Sequence, residues 1–240
     1  VAAVRKACEK LREKIVKISA ALLEAAPEDL EISDGAVHVR GSNVSLTFAE
    51  LAAKVYRDTV ALKGLDTSLY AEFFYNFPNF GTGEAGEFNM SATYGNSAHV
   101  AVVEVDPETY VVKILRYVAV HDCGRILNRE IVEGQVLGGV VQGIGATLYE
   151  EIAYGDDGVL LTTSFADYLL PTAVEAPEIL LDHLETPSLF SELGSKGMGE
   201  GPMIPVAAAL ANAVEDALKT GIKSSHIHPS LLWRSAARKT

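Results

Sequence analysis

Between Arg129 and Glu151 apolar side chains recur at Ile131, Val132, Val136, Val140, Val141, Ile144 and Leu148, the three-to-four spacing of a helix. The same stretch contains Gly134, Gly138, Gly139, Gly143 and Gly145. A glycine costs a helix interior roughly 1 kcal/mol relative to alanine, so these require a reason. Either another backbone packs very close to this helix, or a ligand does. The helix also excludes a dinucleotide-binding turn. The third glycine of GxGxxG is missing after Gly145, and the segment reads as helix rather than a strand-to-helix turn.

The rest of the chain predicts a mixed α+β fold with small sheets. Val1, Val4, Leu11, Ile15, Ile18 and Leu22 mark an amphipathic helix over residues 1–25, stopped near Pro27. A hairpin follows, with Asp34-Gly35 at its turn, and Thr47 with Glu50 forms a capping box opening a helix to about Ala61. Residues 76–87 are turn-rich and without period. Ser97–Val105 and Val111–Val120 are β-rich runs joined by Asp106-Pro107-Glu108-Thr109, and Val159–Thr163 and Ile179–Leu184 are further β-like runs. A glycine-rich loop, 194–201, leads through Pro202 into a helix ending at Leu218, and the tail from Gly221 reads as irregular with Trp233 as its packing anchor. Two lobes are expected, an α+β N-terminal lobe over 1–76 and an α+β lobe over 77–240 that carries the glycine-laden helix and the loop.

Charge narrows the function. With 20 Lys+Arg against 32 Asp+Glu the net charge is −12, and no basic cluster offsets it, which argues against unaided nucleic-acid binding. Cys8 and Cys123 make neither a disulfide framework nor a CxxC metal pair. No uninterrupted apolar run reaches the roughly 18 residues that span a bilayer, and the N-terminus is not a secretory signal. A cytoplasmic, acidic protein is the expectation.

Among chemistry-bearing residues, Gly197-Met198-Gly199-Glu200-Gly201 stands out. Glycines let a backbone approach an anion, and Lys196 could add a cation. Glu200 would repel phosphate, but a carboxylate presented on such a loop suits a general base. The plainer alternative is a solvated glutamate favoured by a helix dipole. Gln135 and Gln142 lie two turns apart, and a primary amide could hold a polar cofactor or simply bond neighbouring backbone. His121, Asp122 and Cys123 alternate in direction at a strand end, so they cannot converge on one ion and read as a structural loop. His38, His99, His226 and His228 have no zinc spacing. The aromatics Phe73, Phe74, Tyr75, Phe77 and Phe80 suit a core or an interface.

Six stretches then occur in one order: Ala92-Thr93-Tyr94, His99 to Asp106, Asp122 to Arg125, Val132 to Gln135 with Gln142 to Gly145, Asp167 to Pro171, and Lys196 to Glu200. Together they resemble the C-terminal portion of the molybdenum-binding large subunit of the xanthine dehydrogenase/aldehyde oxidase family. The likeness is strongest to the carbon monoxide dehydrogenase large-subunit branch. The resemblance implies a molybdopterin-dependent hydroxylase, in which a molybdenum-bound hydroxide attacks an electron-poor carbon and hydride passes to a sulfido ligand. Glu200 matches the glutamate that takes the proton, and Gln135 the glutamine that hydrogen-bonds the pterin. Lys196, Gly197, Met198 and Gly199 match the loop that presents the base and borders the cofactor, here expected in its cytosine dinucleotide form. No protein ligand to molybdenum is expected. Iron–sulfur clusters and FAD are implied on partner chains, alongside the remainder of the molybdenum subunit and a small-molecule substrate. The motifs upstream of Val1 in such enzymes are absent, so the chain is expected to be a split subunit or a fragment, inactive alone. Two departures stand out: Tyr110 replaces a usual glycine, and Arg129 a usual proline. A non-catalytic assembly module, carbon monoxide oxidation and an unrelated phosphate-ligand enzyme are the alternatives.

Overall fold

The computed structural model describes residues 1–57, 60–83 and 86–237. They fall into two compact units, Val1–Phe77 and Pro78–Thr240.

In the first unit, helix α1 runs over Ala2–Leu23 and stops where Glu24 turns left-handed, at φ 52°. Strands β1 (Leu30–Ser33), β2 (Ala36–Val39) and β3 (Ser45–Thr47) form an antiparallel sheet in that order. Asp34 and Gly35, at φ 49° and 74°, supply the two positive angles of the first hairpin turn. The capping box forms as expected. Glu50 Oε2 accepts from the Thr47 amide at 2.9 Å, and Thr47 Oγ1 accepts from the Glu50 amide at 3.2 Å. Helix α2 spans Phe48–Arg57; its continuation toward Ala61 falls partly outside the described residues. Ile18, Leu46, Leu51, Val55 and Leu62 close the core.

The second unit holds the chemistry-bearing motifs. After a short ribbon of β4 (Gly81–Thr82) and β5 (Phe88–Asn89) come β6 (Asn96–Val105) and β7 (Val112–Asp122), an antiparallel pair bulged at Val102/Val103. Asp106 Oδ1 accepts from the Glu108 and Thr109 amides at 2.8 Å and shapes their hairpin. The turn ends on Tyr110 at φ 58°, which explains why a glycine suits that position. Tyr110 accepts the strain, about 1–2 kcal/mol, while packing its ring against the core.

Helix α3 (Arg129–Leu148) starts at Asn128, whose side chain accepts from the Ile131 amide at 3.0 Å. Arg129 is thus the first helical residue, the position proline tolerates best. Strand β8 (Ile179–Leu184) then joins β7 in parallel, pairing Tyr117 with Ile179 through Asp122 with Leu184. Helix α4 (Val206–Leu218) packs across α3, and α5 (Pro229–Ala237) ends the described chain.

Tyr117, Ala119, Val136, Val140, Ile144, Val206, Leu210 and Val214 fill the core between the sheet and these helices, fully buried. This burial accounts for three of the glycines. A Cβ on Gly139 would lie 2.8 Å from Pro202 Cβ, and one on Gly143 2.6 Å from Val206 Cβ. One on Gly145 would lie 2.9 Å from Pro171 Cδ. The Asp167–Pro171 motif is held there by the Tyr168 hydroxyl, which donates to Glu150 Oε2 at 2.6 Å.

Three expectations change. Val159–Thr163 forms only a bridge, Tyr154 with Leu160, because no sheet covers Val159, Leu160 and Leu161. The tail is helical, anchored by the buried Ile227 and Leu232, while Trp233 is 58% exposed. Helix α3 is, by length and composition, apolar enough to cross a bilayer despite its charges, yet its apolar stripe is the core of this unit.

Candidate active site

The exposed side of α3 and the 194–201 loop meet at one hydrogen bond. Gln135 Nε2 donates to the Gly199 carbonyl at 2.6 Å. On the same side of α3, a Cβ on Gly134 or Gly138 would meet nothing within 4 Å, and the same holds for Gly197, Gly199 and Gly201. Three of the helix glycines therefore serve internal packing, and two leave bare backbone facing outward beside Gln135. Gln142 is exposed as well.

The loop is fastened at several points. The Arg125 amide donates to the Gly194 carbonyl at 3.0 Å, and the Lys196 amide to the Cys123 carbonyl at 2.7 Å. A Cβ on Gly95 would come within 2.9 Å of the Gly197 carbonyl oxygen, so two backbones touch there. Met198 turns inward and packs against the core. Glu200 is exposed, and its carbonyl accepts from the Met203 amide at 3.1 Å. Because α4 begins only at Val206, Glu200 stands on a preceding turn rather than at a helix N-terminus. The dipole explanation for an acidic residue there loses its basis.

Lys196 does not present its charge outward. Its Nζ lies 3.3 Å from Asp122 Oδ2, and the two side chains are only 10% and 9% exposed. Asp122 Oδ1 also accepts from the Gly124 and Thr186 amides, at 2.8 and 3.1 Å. Burial pushes this carboxyl up, and the hydrogen bonds from Thr186, Gly124 and Lys196 outweigh it, leaving the pKa at about 2.

Strand alternation sends His121 the other way, into a network that spacing alone did not reveal. His99 Nε2 and His121 Nε2 are 2.7 Å apart, and His99 Nδ1 is 2.9 Å from the Tyr117 hydroxyl. His183, paired in register with His121 and 5% exposed at its side chain, completes the cluster across three strands, with Glu133 Oε1 4.0 Å from its Nε2. Odd-numbered positions on β6, on β8 and on β7 from Tyr117 onward share the core-facing side, a signal visible only once strand pairing is known. No group of three or more His, Cys, Asp or Glu is arranged to hold a metal ion among the described residues.

Burial and the neighbouring His121 charge lower the His99 pKa to about 4, and burial with the His183 charge lowers that of His121. The folded pair therefore stays neutral where the unfolded chain, titrating near 6.5, already binds protons. Stability from this source is complete above about pH 6.5 and is lost as pH falls toward 4. With solvent screening the loss for His99 is roughly 2–3 kcal/mol. Urea midpoints at pH 7.5 and 4.5 should show it, and His99→Gln should flatten the difference; an equal fall in that variant would contradict the assignment.

An α+β unit whose glycine-bearing helix and glutamate loop share one open face belongs to a recognisable class. The chain is a member of the molybdopterin cofactor-binding domain family, whose model matches residues 1–177. That match ends before the Glu200 loop, whereas alignments with individual relatives run on. The nicotine 6-hydroxylase large subunit of Paenarthrobacter nicotinovorans is 40% identical over 90% of this chain. The carbon monoxide dehydrogenase large chain of Afipia carboxidovorans is 34% identical over 97% of it. The chain spans only 25% and 27% of those two proteins. Among solved structures, quinoline 2-oxidoreductase from Pseudomonas putida 86 superposes with a TM-score of 0.73 at 39% identity, over 97% of this chain and 29% of that one. The chain thus corresponds to part of a molybdenum hydroxylase large subunit.

Proposed function

We propose that this chain contributes the general base, Glu200, and one wall of the pterin site to a cytoplasmic molybdenum hydroxylase. The enzyme would use water to hydroxylate an electron-poor carbon of an aldehyde or N-heterocycle. The observation that carries this is the Gln135–Gly199 hydrogen bond, which sets the residue before Glu200 against the open glycine face of α3.

The residues fit the cofactor on structural grounds. Bare backbone at Gly134, Gly138, Gly197 and Gly199 offers a flat approach for a fused ring system, and the Gln135 carbonyl oxygen can accept from pterin nitrogens while its amide holds the loop. When bound, the molybdenum centre supplies a two-electron acceptor and a Lewis acid that acidifies water. Glu200 takes the proton released as the new carbon–oxygen bond forms, and its exposure on this chain leaves it accessible to a substrate-bearing partner surface. The remainder of the large subunit, together with iron–sulfur and FAD subunits, completes the site and removes electrons. The cytosine dinucleotide form of the cofactor is proposed from the family resemblance. Nicotine and quinoline, named for two similar proteins, are N-heterocycles and favour that substrate class. Carbon monoxide oxidation is the second reading, favoured by the Afipia relative.

Gly134→Ala and Gly138→Ala test the cofactor wall. Neither Cβ meets this chain, so each should stabilise α3 by about 0.5–1 kcal/mol in urea unfolding of the chain. Each should also lower the molybdenum content and cytidine nucleotide release of the assembled enzyme. Full cofactor loading in both variants would place the pterin elsewhere.

A further inference from the structure

Three backbone segments converge on one enclosed carboxylate that contacts the loop carrying the proposed base. Asp122 ends β7, yet it takes hydrogen bonds from Gly124 in the following turn and from Thr186 just after β8, and it faces the ammonium of Lys196 in the 194–201 loop. Lys196 is almost equally enclosed, so the pair is sequestered from any ligand. Such a pair contributes little net stability compared with apolar residues, but it fixes geometry, because a displaced partner would leave a buried charge uncompensated.

The geometry of the fastening gives it a direction. The loop is pinned at Gly194 by the Arg125 amide, at Lys196 by Cys123 and Asp122, and at Gly199 by Gln135. Glu200 is the next residue. The Gly197 carbonyl rests on the Gly95 backbone, so the loop cannot settle closer to the sheet. Of these contacts, the Asp122–Lys196 pair alone joins charged side chains, and it stands at the loop's root.

We propose that Asp122, acting through Lys196, is a positioning residue that sets where the loop presents the Glu200 carboxylate. The proposal rests on Glu200 being the base, and its test separates the two ideas. Asp122→Asn keeps an oxygen for the Gly124 and Thr186 amides and puts a neutral amide NH2 in place of the anion facing Lys196. In hydrogen exchange on the full chain, amides 194–201 should then exchange about ten-fold faster or more, with α3 and α4 unchanged. In the assembled enzyme kcat should fall about ten-fold at constant KM and constant molybdenum content, as for a misplaced catalytic group. Adding Lys196→Gln, which restores a neutral amide pair, should recover both readouts.

Unchanged exchange at 194–201 overturns the proposal, as does acceleration spread equally over α3 and α4. Faster loop exchange with normal kcat overturns the link to Glu200. Full turnover in a Glu200→Gln enzyme would instead refute the base assignment, while the exchange result on the loop is read independently of turnover.

Discussion

Glu200→Gln is expected to cut turnover of the assembled enzyme by roughly 10²–10⁴-fold, the usual contribution of a positioned general base, without loss of molybdenum. The substitution is isosteric, and the Glu200 side chain stands exposed on a loop held by other residues. The amide cannot accept the proton, so the loss should appear in kcat and kcat/KM together. Glu200→Asp should recover part of it, since the carboxylate survives one methylene short. Steady-state kinetics with metal analysis on the same preparations decides the matter: normal turnover removes Glu200 from the mechanism, and loss of metal makes it a structural residue.

Gly124→Ala should be the most disruptive small substitution in the second unit. Gly124 sits at φ 67°, where an added Cβ costs about 1–2 kcal/mol. That Cβ would also collide with the Gly194 carbonyl oxygen and lie 3.0 Å from Lys196 Cγ. Overpacking of this kind costs about 1–3 kcal/mol more. A total of about 2–5 kcal/mol follows, read as a lower urea midpoint, together with loss of protection at the Lys196 amide that bonds the Cys123 carbonyl. A shift of less than about 0.5 kcal/mol, the range of ordinary surface changes, would show that the loop is not seated as described.

These two sites differ in how far the sequence discloses them. Glu200 was visible because a glutamate in a glycine run is chemically odd, and because its surroundings carry a family resemblance. Gly124 drew no notice by itself; its role depends on a strand end and a loop far apart in sequence, brought together by the Gly124–Ser195 bridge. Lys196 shows the same limit. In sequence it was a cation available to a ligand, and in the fold it is committed to Asp122.

Local chemistry determined much without tertiary information. The capping box at Thr47 and Glu50, the Asp34-Gly35 turn, the β6–β7 hairpin and the helical period of α3 each depend on residues within a few positions of one another. Their free energies are set by neighbours along the chain, so the sequence displays them. Burial and long-range pairing were decided only by the packed structure. The five glycines of α3 are alike in sequence, yet Gly139, Gly143 and Gly145 meet Pro202, Val206 and Pro171 whereas Gly134 and Gly138 meet open space. The parallel pairing of β8 with β7 brings His183 beside His121, and the same fold turns Asp122 toward Lys196. A steric contact or a buried charge has no energy until its distant partner arrives, and which partner arrives is a property of the fold.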